Sequence, residues 1–138
     1  MTLLELLYYK PDLILLDSTN CLVRAQLQHY KPLSPELIRF RFLKLFQALV
    51  KCVETNSFNG IIKFMDKVSD ERYELGFEIH EVQTAINILE ECLWKKILKF
   101  VDDDKQISAM KQVTRILCNA KMELAGRYAL LSKEYIYN

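Results

Sequence analysis

The clearest pattern in the chain spans residues 78–101, which read EIHEVQTAINILEECLWKKILKFV. Apolar residues recur here at steps of three and four, as on one face of an α-helix: Ile79, Val82, Ile86, Leu89, Leu93, Ile97 and Phe100. Two glutamates lie in the first turn and three lysines lie near the end, which is the arrangement that the helix dipole favours. The segment therefore predicts an amphipathic helix with one buried face.

The rest of the sequence divides into segments of the same period, and it predicts six helices. Their expected ranges are 3–9, 11–30, 35–55, 58–75, 78–101 and 107–136. Thr2 and Ser34 precede two of them as N-caps, and Gly76 follows the fourth as a left-handed stop. Asp103 and Gln106 have the spacing of a capping box for the last helix. With only three glycines and three prolines, the chain lacks the turns of an all-β fold, and we expect one all-α domain over residues 1–138.

Three helices carry more detailed expectations. The second helix has its apolar positions at Leu13, Leu16, Val23 and Leu27, and the third is apolar on nearly every face. A helix of the latter kind is either central in the core or shared with a partner. The last helix would be about 45 Å long, whereas a compact domain of this size is roughly 37 Å across. We therefore expect it to bend near Gly126, to overhang the domain or to pack on a second protomer.

Composition and charge exclude several kinds of partner. The chain has 19 basic and 18 acidic side chains, a net charge of +1, so no polyanion partner is indicated. Its longest segments without a charged residue, 55–62 and 82–89, are far shorter than the roughly 20 residues of a membrane span. The four cysteines are dispersed and include no C-x-x-C pair. With no basic region ahead of the first leucines, the sequence predicts a cytoplasmic protein that binds neither nucleic acid nor membrane.

A cluster of basic and aromatic residues in the third helix suggests nucleic-acid binding at first sight. Arg39 and Arg41 alternate there with Phe40 and Phe42. However, the two arginines point about 200° apart on a helix, so they form no single basic patch. We expect both arginines to be charged edges of a largely buried helix, with only their aliphatic stems covered.

His80 suggests an alternative function. Residues 80–86, HEVQTAI, resemble the H-box of sensor histidine kinases, in which a histidine on a dimeric helical bundle accepts a phosphoryl group and the adjacent acid assists as base. Gln83 and Ala85 stand where that box has a basic residue and a proline. The alternative is a histidine phosphotransfer-like dimerisation domain with His80 as phospho-acceptor. The competing interpretation places His80, Gln83 and Asn87 on a solvated helix face.

No pattern in the sequence points to catalysis or to a cofactor. Neither His29 nor His80 has a ligand partner at helical spacing, and no Glu-x-x-His motif of a di-iron bundle occurs. Glycine-rich phosphate loops are absent, and no Cys or Ser lies in a Gly-rich turn. A haem globin would need a histidine that points into an apolar cavity, whereas His80 lies one residue off the apolar stripe. We predict a non-enzyme without catalytic, cofactor-binding or metal-binding residues.

Three stretches together resemble a known family. They read RFRFLKLF at 39–46, RYELGFEIHEVQTAINILEECLW at 72–94 and ILCNAKMELAGRY at 116–128. Over about residues 5–135 the chain resembles the amino-terminal domain of the RsbT co-antagonist (RsbRD) family, the sensory half of bacterial stressosome-type proteins. The resemblance implies an all-α, globin-like or orthogonal bundle that binds no haem. It also implies a sensory and protein-interaction module in stress signalling, with a STAS-domain protein or a switch kinase as partner.

The resemblance and the helix pattern both lead to a homodimer as the expected assembly. The family's sensory domains pair, and a net charge close to zero gives little repulsion between two protomers. The tail of the last helix supplies the candidate interface: Leu124, Tyr128, Leu131 and Tyr135. A two-fold interface of standard size would bury roughly 800 Å² on each protomer.

Overall fold

The predicted helices are all present. A computed structural model describes residues 1–137, with side chains as far as Lys133. Its helices are α1 (Leu3–Tyr9), α2 (Pro11–Ala25), α3 (Pro35–Thr55), α4 (Asn59–Glu74), α5 (Ile79–Phe100) and α6 (Gln106–Tyr137). No strand occurs among these residues, so the expectation of an all-α fold with a long C-terminal helix is confirmed.

The predicted helix ends rest on local hydrogen bonds. The Thr2 hydroxyl accepts from the Glu5 amide at 3.2 Å while the Glu5 carboxylate accepts from the Thr2 amide at 3.0 Å, which is a complete capping box. Gly76 has φ +86°. The Phe77 amide donates to the Arg72 carbonyl at 2.9 Å, and the Gly76 amide donates to the Tyr73 carbonyl at 3.1 Å. These two bonds form the Schellman motif that a left-handed C′ residue makes possible.

The buried face of α2 differs from the prediction. Leu13, Leu16 and Val23 are exposed by 41%, 53% and 37%, whereas Ile14, Leu15 and Leu22 are buried. The buried face also contains Ser18 and Thr19, whose hydroxyls donate to the Ile14 and Leu15 carbonyls at 2.8 and 2.7 Å. Because these hydroxyls are satisfied within their own helix, burying them leaves no unpaired group. The helix also ends at Ala25 rather than near residue 30, since Gln26 is left-handed with φ 55°.

The start of α6 is a further difference. Asp103–Lys105 forms a short 3₁₀ turn, and Gln106 is the first residue of α6. The Gln106 side-chain amide donates to the Val101 carbonyl at 3.0 Å and to Asp103 Oδ1 at 3.3 Å. The predicted capping box at this position is therefore wrong, because Gln106 reaches back to the open carbonyls at the end of α5. The connection is held further by the Met1 ammonium, which lies 2.5 Å from Asp102 Oδ1.

The helices pack around one continuous core. Helix α6 lies against α4 and α5, α2 lies against α3 and α5, and α3 packs on α4. The side chains of α6 that face this core are fully or almost fully buried: Val113, Ile116, Leu117, Ala120, Leu124 and Tyr128. At 1.5 Å per residue, the 32 residues of α6 extend about 48 Å. A bend at Gly126 remains a prediction, and the space around this glycine is open, with no atom within 4 Å of a Cβ built there.

Candidate functional site

The residues of the predicted α6 interface lie mostly inside the chain. Leu124 has no exposed surface and Tyr128 is 8% exposed. The Tyr128 hydroxyl donates to the Phe77 carbonyl at 3.0 Å, and its ring packs edge-on against Tyr73. Leu131 is half-buried, and the side chain of Tyr135 lies outside the described residues. The burial of Leu124 and Tyr128 therefore argues against a role in a surface interface, and a charge introduced at Leu124 would perturb folding rather than association.

His80 lies in the first turn of α5 and is exposed, as the phosphotransfer hypothesis requires. The adjacent acid does not support that hypothesis. Glu81 is only 1% exposed, and its carboxylate accepts from the His29 amide at 2.9 Å and contacts His29 Nδ1 at 2.7 Å. Although burial acts to raise the pKa of Glu81, the hydrogen bonds with His29 hold it below its usual range. Phosphoryl transfer through His80 remains a prediction. Glu81 is not placed to assist it as a base, because its carboxylate is bonded to His29.

Phe77 is the point at which several helices meet. The ring of Tyr30 packs edge-on against it and the ring of His29 packs at a tilt, each with centroids 5.1 Å apart. The guanidinium carbons of Arg41 and Arg72 lie 5.6 and 5.7 Å from its centroid. The left-handed Gly76 turns the chain so that this ring points into the bundle, which explains why the Gly-Phe pair stands between α4 and α5.

Arg41 and Arg72 form a cationic pair on the ring of Phe77 that the sequence interpretation missed. Arg72 is only 7% exposed, and one of its guanidinium nitrogens contacts the Glu71 carboxylate. Arg41 is half-buried, and its Nη1 atom has no hydrogen-bond partner although solvent does not reach it. The helical position of Arg41, three residues after the buried Ile38 and four before the buried Leu45, was a signal that its side chain faces inward.

A cavity lies beside these two arginines. Its volume is about 40 Å³, and the unfilled space reaches about 430 Å³ when its open mouth is included. Apart from Tyr30, Arg41 and Arg72, the lining residues are apolar and come from α2, α3, α4 and α5: Leu22, Ile38, Phe42, Leu45, Phe64, Met65, Val68, Val82, Ala85 and Ile86. Three of the lining residues are only half-buried: Phe64 and Val68 of α4, and Arg41 of α3. The mouth therefore lies between α3 and α4.

The charge of Arg72 acts on Arg41, and both guanidinium groups act on the tyrosine beside them. Burial, and then the positive charge of Arg72, lower the pKa of Arg41. Burial raises the pKa of Tyr30, and the charges of Arg72 and Arg41 oppose that rise. Two positive charges in a poorly solvated space repel each other unless anions compensate them. Glu71 contacts one of the two arginines, and Arg41 is left without a comparable contact.

The outer side of α2 is a second candidate site. Leu13, Leu16 and Val23 project within an arc of about 80° on the helix. Two aspartates at the flanks of this stripe are paired, since Asp12 contacts Arg39 at 3.0 Å and Asp17 contacts Lys96 at 2.9 Å. Arg24, at the same flank as Asp17, is exposed and donates to Cys21 Sγ at 3.4 Å.

Metal sites, membrane spans and similarity to known proteins give no further indication of function. Within the described part of the chain, no group of three or more His, Cys, Asp or Glu side chains is arranged to hold a metal ion. None of the helices described is both long enough and apolar enough to cross a membrane. No family model, no curated protein and no solved structure matches this chain.

Proposed function

We propose that this chain is a non-enzymatic sensory and protein-interaction domain that forms a homodimer. The observation that carries the proposal is the pair of apolar faces on α2. One face packs in the core through Ile14, Leu15 and Leu22, and the other presents Leu13 and Leu16 to solvent. A helix that is apolar on both sides is shared between its own core and a partner.

The exposed face of α2 suits a second copy of the chain. Single exposed apolar residues are common on monomers, but Leu13 and Leu16 are neighbours on one face of α2, and Val23 continues this face beyond the exposed Asn20. A two-fold axis would place the same stripe of each protomer against the other. Because the flanking aspartates are already paired with Arg39 and Lys96, they bring little unpaired negative charge together when a second copy approaches.

The resemblance to the RsbRD amino-terminal domain supports the signalling part of the proposal. That family combines an all-helical fold with pairing of its sensory domains, and it implies a STAS-domain protein or a switch kinase as the downstream partner in a bacterial cytoplasm. The all-helical fold of this chain agrees with the resemblance at the level of fold class. The partner, the stress-response role and the globin-like topology belong to the proposal.

Analytical ultracentrifugation tests the dimer directly. The wild-type chain at tens of micromolar is expected to sediment at about twice its mass of 16.3 kDa. Leu13→Glu with Leu16→Glu is expected to give a monomer with unchanged helical circular dichroism, since both side chains point to solvent. Ile107→Glu with Met122→Glu is the matched control, because these residues of α6 are equally apolar and 71% and 67% exposed. A wild-type monomer, or a dimer unaffected by the α2 substitutions, would overturn the assignment of this face.

A further inference from the structure

The cavity that opens between α3 and α4 combines apolar walls with two cationic lining residues, Arg41 and Arg72. Burying a charge is unfavourable unless the charge is paired and hydrogen-bonded. Arg72 contacts Glu71, but Arg41 Nη1 donates to no group and is shielded from water.

The negative charge of Glu71 acts on Arg41 as well as on Arg72, whereas the two buried acids among the described residues are engaged elsewhere. Glu81 is the first of these two acids. One of its carboxylate oxygens accepts a hydrogen bond from the His29 amide, and the other contacts His29 Nδ1. Glu90, the other acid in the buried set, contacts Lys121 at 3.4 Å. Arg41 Nη1 is therefore a hydrogen-bond donor without an acceptor, and the two arginines place an excess of positive charge beside an apolar cavity.

We infer that this cavity binds a small organic monoanion, a carboxylate that carries a short hydrocarbon chain. A guanidinium group presents parallel N–H donors that match a carboxylate, so Arg41 and Arg72 would hold the head of the ligand. The apolar walls, which include Phe64 and Val68, would take the hydrocarbon chain. A bare inorganic anion would match the arginines but would leave the apolar walls without a partner.

The volume limits the length of the ligand. A cavity of about 40 Å³ holds roughly three water molecules, or the head and first carbons of an acid. A longer chain has to follow the open part of the space towards solvent. Hexanoate is therefore a suitable probe, and the series from propionate to decanoate would locate the preferred length.

Isothermal titration calorimetry with sodium hexanoate, in a buffer free of other carboxylates, tests the inference. We expect saturable binding at one site per chain. Hexanamide, which has the same chain and no charge, and acetate, which has the charge and almost no chain, should each bind about tenfold or more weakly. Absence of saturable hexanoate binding, or equal binding of hexanamide, would overturn the inference.

Substitutions on α3 locate the site. Arg41→Gln should weaken hexanoate binding by about ten- to hundredfold, which is the range for a hydrogen bond to a charged group. Arg39→Gln is the matched control, because Arg39 is two residues away and contacts Asp12 on the surface. Unchanged binding by Arg41→Gln would contradict the site. If Arg41→Gln does not fold, Arg41→Lys takes its place, since it keeps the charge and loses the planar fork, and the comparison of hexanoate with hexanamide on the wild-type chain decides the question alone.

If the chain is a sensory domain, as proposed above, the carboxylate would be its signal; the inference rests on the proposed function in this point alone, and the two can fail separately. Calorimetry on the Leu13→Glu, Leu16→Glu variant measures the cavity without the α2 interface. Binding by a monomeric chain would leave the cavity assignment standing and remove the dimer. A dimer that binds no hexanoate would do the reverse.

Discussion

Replacing Gly76 by alanine should destabilise the protein by about 1–2 kcal/mol, which is the cost of a left-handed conformation for a residue with a Cβ. Gly76 has φ +86°, and its amide and the next one close the Schellman motif at the end of α4. Steric contact adds little, because a Cβ at this position meets only His29 Nε2, at 3.5 Å. The predicted cost is therefore almost wholly conformational.

Replacing Gly126 by alanine should instead stabilise the protein. Gly126 lies inside α6, and a Cβ there meets no atom within 4 Å. Alanine in a helix interior is more favourable than glycine by roughly 0.5–1 kcal/mol. Gly126→Ala is thus a control of identical chemistry, and Gly76→Asn should recover part of the loss, since asparagine tolerates the left-handed region.

Urea denaturation followed by circular dichroism measures all three variants against the wild type. Gly76→Ala should lower the midpoint and Gly126→Ala should raise it, with an unchanged dependence of free energy on urea. In a thermal scan, a loss of 1 kcal/mol corresponds to about 4 °C in a chain of this size. Equal effects of the two alanines, or a stabilising Gly76→Ala, would show that α4 does not end in a left-handed turn.

Two further predictions concern single side chains. Iodoacetamide should modify the exposed Cys118 well before Cys92, whose pKa is raised by burial, and mass mapping of a time course would detect the reverse order. A hydrogen bond with Asp66 raises the pKa of Glu123, so the folded chain binds a proton there more readily than the unfolded chain, and the stabilisation is lost as the pH rises through the folded pKa. Glu123→Gln keeps the hydrogen bond without the charge, and it should raise the free energy of unfolding at pH 7 by more than at pH 5. A difference in stability between the variant and the wild type that grows as the pH falls would contradict this prediction.

The six helices and several of their ends could be predicted because those signals are local. The capping box at Thr2, the serine cap at Ser34 and the stop at Gly76 each depend on a few neighbouring residues. Helix α5 could be predicted with its buried face, since its apolar positions form a single stripe.

The orientation of α2 could not be predicted in the same way. This helix has apolar residues on two sides, so the periodicity alone does not determine which side is buried. Its core face includes Ser18 and Thr19, which composition marks as polar but which bond to their own helix.

The arginine pair could not be predicted because it is assembled from distant parts of the chain. Arg41 and Arg72 are 31 positions apart and meet only through the packing of α3 on α4 and the turn that places Phe77 beneath them. The core-facing helical position of Arg41 indicates that this arginine points inward. No local pattern indicates that the second arginine lies near the first.

The shared ring of Phe77 has a consequence for how the bundle opens. The loop after α2 contributes His29 and Tyr30, α3 and α4 contribute one arginine each, and Tyr128 of α6 bonds to the Phe77 carbonyl. None of these segments can move away without exposing the ring and the charges around it. Local fluctuations at this end are therefore tied together, and slow amide hydrogen exchange in one segment should accompany slow exchange in the others. Phe77 therefore couples the loop after α2 to α3, α4 and α6 through a single side chain, in addition to the direct packing of these helices.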